Sequence, residues 1–312
     1  MAARTKAPDV LVLGAGGVLG EAWMTAVLAG FEDATGWDPL GCEAYLGTSA
    51  GSIVAAALAA GVSPQDRAGA IPDQPQPSGP PGAQTPGVMG RALQVGRTAG
   101  ALTAAPIAAL GLRTTSFGGA LARRLALSQV PRGRRSLGGL GRQVEDAGAS
   151  WDGRLLVAAV ELESGRRVVF GTPGAPEASV GQAVEASCSI PGYFRPVLID
   201  GRHYVDGGAW SLTNIDAAPA GRNTRVLCLN PTGSMRPARG APAGVIGQLS
   251  RSLAVVEALA LTRRGATVDT VSPDGPSAAA MGANLMDPRR RGQVSSAGLA
   301  QGRSLATTAR AA

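Results

Sequence analysis

Two short motifs combine the residue types that acyl-transfer chemistry needs. The first, Gly47–Gly51, reads G-T-S-A-G and follows the apolar run 44–46. In a G-x-S-x-G turn the small residues allow a sharp strand-to-helix bend that exposes the serine hydroxyl. The second, Asp206-Gly207-Gly208, follows a predicted hairpin strand and leaves its carboxylate at the strand end. We therefore predict Ser49 as a nucleophile and Asp206 as its candidate base.

A third motif, Gly14–Gly20, reads G-A-G-G-V-L-G and comes directly after the apolar run Val10–Leu13. Successive small residues at a helix N-terminus present backbone N–H groups to an anion. That anion could be a dinucleotide pyrophosphate or the oxyanion of an acyl-transfer intermediate. The dinucleotide fingerprint fits Gly14 and Gly16 but meets Leu19 where a small residue is needed. An NAD(P)-binding oxidoreductase is therefore the less favoured alternative.

The only histidine, His203, is the one residue that could complete a Ser-His-Asp triad. It alternates with Val205 in the predicted hairpin strand, whereas α/β-hydrolases place this histidine in a late loop. We therefore predict a cross-strand or surface role for His203. This leaves a carboxylate that acts directly on the serine as the favoured base.

Composition excludes several other kinds of site. The only lysine, Lys6, lies in a predicted N-terminal tail, which excludes a P-loop and a Schiff-base enzyme. The three cysteines lack C-x-x-C spacing, so neither a disulfide framework nor a zinc site is expected. We predict no metal, no organic cofactor and a reducing, cytoplasmic location, since no signal peptide is evident.

The net charge of +7 comes almost wholly from arginine. Clusters at 123–135 and 289–291 are predicted to be a solvated surface. We predict no nucleic-acid partner, because aromatic residues are only 4% and no nucleic-acid-binding motif is present. An anionic lipid surface is an equally good electrostatic partner, so peripheral contact at the inner membrane surface stays an alternative.

The elements around these motifs favour one α/β domain with a central, mostly parallel sheet. Two successive strand-turn-helix units open the chain, and Asp200-Gly201 predicts a type I′ hairpin turn. We expect an N-terminal tail over 1–9, the hydrolase domain over 10–230 and a C-terminal helical extension and tail over 231–312. Within the domain we expect a flexible Pro/Gly-rich insertion at 71–87 and a lid-like region at 88–150. The end of the chain is expected to fray.

The three motifs in this order resemble those of the patatin-like phospholipases, as does the approach Ala186–Phe194, which reads A-S-C-S-I-P-G-Y-F. The resemblance covers 10 to about 230. It implies a Ser49–Asp206 dyad without histidine, and an oxyanion hole formed by the amides of Gly16, Gly17 and Ala15. The motif glycines Gly14, Gly20, Gly47, Gly51, Gly207 and Gly208 match by position.

This resemblance implies a serine acyl hydrolase, of phospholipase, lysophospholipase or lipid esterase type, that acts on a lipid ester through an acyl-enzyme in lipid catabolism. The alternative is a catalytically inactive lipid- or acyl-binding protein. Many family members read G-G-G-x-[RK]-G, whereas this chain has Ala15 at the position of the first glycine and Leu19 at the basic position. We expect that the loss of a cation affects phospholipid specificity more than ester chemistry.

Overall fold

The structure, a computed structural model, describes residues 7–69, 118–235 and 243–311. Its described strands form one eight-stranded sheet in the order β5-β6-β3-β2-β1-β7-β8, with β4 paired to β3. The strands are β1 (Val10–Leu13), β2 (Ala44–Thr48), β3 (Leu155–Glu161), β4 (Arg167–Phe170), β5 (Val197–Ile199), β6 (Arg202–Asp206), β7 (Arg225–Leu229) and β8 (Thr267–Val271). The five neighbouring strands β3, β2, β1, β7 and β8 run parallel to one another. The other three strands, β4, β5 and β6, pair antiparallel. The α/β fold with a mostly parallel central sheet is thus confirmed.

Helices cover both faces of this sheet. They are α1 (Gly17–Thr35), α2 (Ala50–Ala59), α3 (Pro64–Gly69), α4 (Gly118–Ser128), α5 (Gly138–Asp146), α6 (Val180–Cys188), α7 (Ala243–Thr262), α8 (Gly275–Met281) and α9 (Arg291–Ala311). Alternate residues of a strand face opposite sides. Leu11 and Leu13 accordingly join a core with α1 and α2, whereas Val10 and Val12 join a second core with α7.

The strand order changes direction at β1, which has β2 on one side and β7 on the other. In open parallel sheets, such a switch point leaves a crevice outside the carboxyl ends of the strands. The Gly-rich loop follows β1 and the G-T-S-A-G turn follows β2, so both motifs lie at this crevice. The topology therefore places two of the three predicted motifs side by side.

Local sequence signals predicted several elements well. Strand β1 has the bounds of the apolar run Val10–Leu13, and α1 begins at Gly17, within the Gly-rich motif. Both Asp200 and Gly201 have positive φ, 46° and 72°, as a type I′ turn requires. The hairpin prediction is therefore confirmed.

The predicted fraying is wrong for the part of the C-terminal segment up to residue 306, whose side chains the structure describes. Helix α9 packs lengthwise on α1, and an added Cβ at Gly302 would lie 2.2 Å from the Val27 carbonyl oxygen. Buried Trp23 also donates from Nε1 to Gln301 over 2.9 Å. Strand β8, which was not predicted, adds an edge to the same sheet. The domain boundary at 230 stays a prediction.

The Pro/Gly-rich insertion 71–87 and the first part of the lid-like region, 88–117, lie outside the described residues. Residues 118–150 contain α4 and α5. Helix α5 buries Leu140 and Val144 and contacts α6 so closely that a Cβ at Gly181 would lie 2.4 Å from the Gly141 carbonyl oxygen. This part of the region therefore belongs to the packed core.

None of the helices in the described part of the chain has both the length and the apolar character needed to cross a bilayer.

Candidate active site

Ser49 lies in a strained turn between β2 and α2. Its φ of 52° and ψ of −122° are rare for a residue with a side chain. The flanking glycines allow this turn to pack closely. A Cβ at Gly47 would lie 2.3 Å from the Ser52 Cα, and one at Gly51 would lie 1.9 Å from the Leu13 carbonyl oxygen. The turn therefore has the geometry of a nucleophile elbow at the N-terminus of a helix.

Strand β3 brings the aspartate to the elbow. Thr48 is in register with Ala158 on one side of β3, and Asp206 is in register with Ala159 on the other. The two motifs are thus held at the same height, two strand spacings or roughly 10 Å apart in backbone. Their side chains face each other across this gap, and the Ser49 hydroxyl lies near enough to the Asp206 carboxylate to lower its pKa.

Burial changes the acidity of the aspartate. Ser49 and Asp206 are only 4% and 3% exposed. Burial raises the pKa of Asp206 to about 7, although hydrogen bonds from the Gly208 N–H and Ser49 oppose the shift. The Gly208 N–H donates to Oδ1 over 2.7 Å and thereby fixes the carboxylate. A carboxylate with this pKa is a far better proton acceptor near neutral pH than an ordinary aspartate.

The Gly-rich loop presents two amides beside the start of α1. Among the described residues, neither the Gly16 nor the Gly17 N–H has a hydrogen-bond acceptor. Gly17 has a φ of 60°, and a Cβ at Gly16 would lie 2.6 Å from Pro231 Cβ. This loop therefore needs glycine for its path, and its two amides are available to a ligand.

The predicted contribution of Ala15 to the oxyanion hole is contradicted. Its N–H donates to the Leu212 carbonyl oxygen over 2.7 Å and is not available to a substrate. Leu19, which occupies the basic position of the related motif, is fully buried in the core. Its N–H donates to the Leu285 carbonyl oxygen over 2.9 Å. Leu19 is therefore a packing residue, and the loop presents no charge at this position.

The remaining motif glycines allow close backbone packing around these groups. A Cβ at Gly207 would lie 2.3 Å from the Ala158 carbonyl oxygen, and one at Gly14 would lie 3.0 Å from that of Leu212. Gly20 lies against Pro231, and a Cβ at Gly208 would lie 3.0 Å from Asp206 Oδ1. These glycines shape the site without supplying a reactive group.

Two polar residues near the site were not given a role from the sequence. The Ser49 N–H donates to Ser187 Oγ over 2.9 Å, and Ser187 donates in turn to the Ala158 carbonyl oxygen over 2.7 Å. Asn214, in the left-handed region with a φ of 55°, donates from Nδ2 to Thr48 Oγ1 over 3.1 Å. Both belong to segments that carry the family resemblance, which is the one signal that could have identified them.

His203 lies away from the dyad. It faces Glu163, whose Oε1 is 2.8 Å from His203 Nδ1, on the partly exposed hairpin. Its neighbour in the strand, Val205, is buried in a small apolar cluster. The histidine is thus paired with a glutamate in the turn between β3 and β4.

The prediction that the arginine clusters are solvated is wrong for two members. Arg123 is buried, donates to the carbonyl oxygens of Ala209 and Gly165, and stacks 4.0 Å from the ring centre of Trp210. Arg291 pairs at 3.3 Å with Glu21, which also pairs with Arg67. These arginines therefore connect elements of the fold.

In the described ranges, no three histidine, cysteine, aspartate or glutamate side chains lie close enough together to hold a metal ion. The three cysteines are buried and unpaired. At the end of β2, where a dinucleotide site would place an acidic residue, the chain continues into the serine turn.

Comparison with known proteins follows the same motifs. The model of the family described as patatin-like phospholipase matches residues 152–219, the segment that contains Asp206. No curated protein sequence is similar enough to the chain to be a match.

Two solved structures match the chain over nearly its whole length. VipD from Legionella pneumophila has 15% identity and a TM-score of 0.46, with 97% of this chain and 67% of that chain covered. The type III effector ExoU has 15% identity and a TM-score of 0.38, with 97% and 53% covered. The family match supports a lipid hydrolase. The chain is therefore similar to the patatin-like phospholipases, as its motifs indicate.

Proposed function

We propose that this protein is a serine-dependent acyl hydrolase that cleaves ester-linked acyl chains from lipids. One observation carries the proposal: a strained helix-start turn places the Ser49 hydroxyl beside a buried carboxylate, whose pKa burial raises to about 7. A serine needs a nearby base to become a nucleophile. Asp206 is that base, and no histidine takes part.

The reaction begins with proton transfer from Ser49 Oγ to Asp206 as the oxygen attacks the ester carbonyl carbon. The carbonyl π electrons move to its oxygen, and the amides of Gly16 and Gly17 stabilise the resulting oxyanion. The N-terminus of α2, at Ser49 itself, adds a favourable dipole. As the carbon–oxygen bond to the alcohol breaks, Asp206 returns the proton to the leaving oxygen, and an acyl-enzyme remains.

Water completes the cycle. It gives a proton to Asp206 while its oxygen attacks the acyl carbonyl carbon, and the same two amides hold the second oxyanion. Collapse releases a fatty acid, and the proton on Asp206 returns to Ser49 Oγ. Each proton that leaves a nucleophile is thus returned to a leaving oxygen.

Active-site labelling tests the nucleophile. A fluorophosphonate should label wild-type protein at Ser49, and Ser49→Ala should abolish the label. Asp206→Asn should slow labelling by roughly a thousandfold, because the amide cannot accept the proton. Wild-type protein that remains unlabelled would instead favour an inactive lipid- or acyl-binding protein, which a fatty-acid binding assay would then identify.

The histidine provides a matched control. Because His203 pairs with Glu163, His203→Ala should keep labelling and turnover near normal. A loss of activity of roughly a thousandfold in His203→Ala would instead support a Ser-His-Asp triad. Intrinsic fluorescence during titration with NADH tests the oxidoreductase alternative, which saturable tight binding would support.

The lipid ester is the proposed substrate class. A hydrolysis panel of phospholipids, lysophospholipids and neutral glycerides identifies its head group. Peripheral contact with an anionic membrane surface and a cytoplasmic location stay predictions from charge and cysteine content. Sedimentation with phosphatidylserine and phosphatidylcholine vesicles tests the first, since only the anionic vesicles should retain a protein bound by its charge.

A further inference from the structure

One carboxylate outside the three motifs contacts the loop between Asp206 and β7. Glu257 lies on α7, and its Oε2 accepts hydrogen bonds from Thr213 Oγ1 over 2.7 Å and from the Ile215 N–H over 2.9 Å. The Ser211 hydroxyl lies near enough to lower the pKa of this carboxylate. Glu257 therefore holds Thr213 and Ile215 by hydrogen bonds, and both belong to the segment 211–215, which we call the bridging loop.

The bridging loop contacts both other motifs of the site. Its Leu212 carbonyl oxygen accepts the Ala15 N–H over 2.7 Å, next to the free amides of the Gly-rich loop. Its Asn214 side chain donates to Thr48, the residue before Ser49, over 3.1 Å. The loop also begins five residues after Asp206 in sequence, beyond the short helical turn Gly207–Ala209. A shift of the bridging loop would consequently move the oxyanion amides and the elbow relative to each other.

The surroundings of Glu257 explain why a carboxylate occupies this position. Burial raises its pKa, so the position has an energetic cost that an apolar residue would avoid. No arginine or histidine forms an ion pair with it among the described residues, so neutral donors of the loop are its partners there. Neighbouring α7 residues such as Ala254 and Leu261 bury apolar surface instead. The carboxylate thus acts mainly as a hydrogen-bond acceptor for the loop.

We propose that Glu257 is a positioning residue that sets the spacing between the Gly16–Gly17 amides and Ser49 through the bridging loop. This inference rests on the proposed acyl hydrolase function. Glu257 itself touches no reacting atom. Because catalytic groups act within narrow geometric limits, a small displacement of the loop lowers turnover more than substrate binding.

The test compares Glu257→Ala, Glu257→Gln and the control Val256→Ala, which changes a neighbouring side chain that is 63% exposed. With p-nitrophenyl butyrate as substrate, Glu257→Ala should lower kcat by about tenfold to a hundredfold and leave KM within about threefold. Glu257→Gln keeps an acceptor oxygen and should retain kcat within about threefold of wild type. Val256→Ala should match wild type.

Hydrogen–deuterium exchange of the same proteins measures the loop without any substrate. Glu257→Ala should speed exchange in peptides that contain Ala15 and the bridging loop, and the other two variants should not. Unchanged exchange, unchanged kcat in Glu257→Ala, or a glutamine variant as impaired as alanine would each overturn the inference. If wild-type protein neither labels at Ser49 nor turns over ester, the proposed function fails, and the exchange data still decide whether Glu257 positions the loop.

Discussion

The Asn214 side chain donates a hydrogen bond to Thr48 Oγ1 over 3.1 Å and so joins the segment after Asp206 to the residue before Ser49. Asn214 is fully buried, and its amide also donates to the Ser211 carbonyl oxygen over 2.7 Å. Its φ of 55° is a conformation that asparagine tolerates better than most residues. This single side chain thus connects the two motifs of the dyad.

Asn214→Ala should lower kcat/KM by about tenfold to a hundredfold, because the elbow loses its support. The matched control is Asn223→Ala, at an exposed turn with a φ of 67°. Both variants place alanine in the left-handed region at a cost of about 1–2 kcal/mol. Urea unfolding should show a larger loss of stability in Asn214→Ala, which also loses its buried hydrogen bonds, and steady-state kinetics should show a loss of activity in Asn214→Ala only. Equal activity in the two variants would contradict the role of the hydrogen bond.

The acidity of Asp206 predicts the pH dependence of activity. A general base must be deprotonated, and burial raises the pKa of Asp206 to about 7. The kcat/KM should therefore rise about tenfold per pH unit below pH 7 and level off above it. The same profile in His203→Ala would assign this pH dependence to the aspartate.

The same pKa makes a prediction about stability. The folded protein keeps the Asp206 proton up to about pH 7, whereas the unfolded chain releases it near 3.8. The contribution of this group to the free energy of unfolding is fully present below pH 3.8 and is lost as pH rises to 7. Asp206→Asn does not titrate, so it should gain stability relative to wild type between these limits. Urea unfolding at pH 5 and pH 8 measures the change, and an equal difference at both would contradict it.

Gly51 allows the elbow to pack against the end of β1. Gly51→Ala places a methyl group 1.9 Å from the Leu13 carbonyl oxygen and should lower the free energy of unfolding by about 3 kcal/mol or more. Gly139→Ala, in α5 with nothing within 4 Å of the added methyl, is the control. It should raise stability by a few tenths of a kcal/mol to about 1 kcal/mol. Thermal and urea unfolding distinguish the two, and similar losses would exclude a specific contact at Gly51.

Arg123 connects α4 to the backbone just after the aspartate motif. Arg123→Ala removes donors to the carbonyl oxygens of Ala209 and Gly165 and the stack on Trp210. We expect a loss of about 1.5–3 kcal/mol in the free energy of unfolding. Exposed Arg124, one residue on, should tolerate alanine within about 0.5 kcal/mol. Urea unfolding, followed by tryptophan fluorescence, gives the midpoint of each variant. Equal midpoints for Arg123→Ala and Arg124→Ala would show that the buried arginine adds no stability.

The sequence by itself determined the features whose physics is local. Strand β1 is apolar throughout because it is buried on both faces, and the Asp200-Gly201 turn needs residues that accept positive φ. The G-T-S-A-G spacing similarly predicted the sharp turn at Ser49. Local signals also predicted that His203 lies in a hairpin strand, and this favoured Asp206 over the histidine as the base.

Only the tertiary structure decided which of these groups meet. The register of β3 with its two neighbours brings Asp206 to Ser49. The Leu212 carbonyl oxygen accepts the Ala15 N–H, so this amide is not available to the predicted oxyanion hole. The packing of α9 on α1, where the sequence predicted a frayed end, is likewise a tertiary contact. Hydrogen-bond partners and glycine-dependent close contacts join residues far apart in the chain, and no local periodicity or turn preference records them.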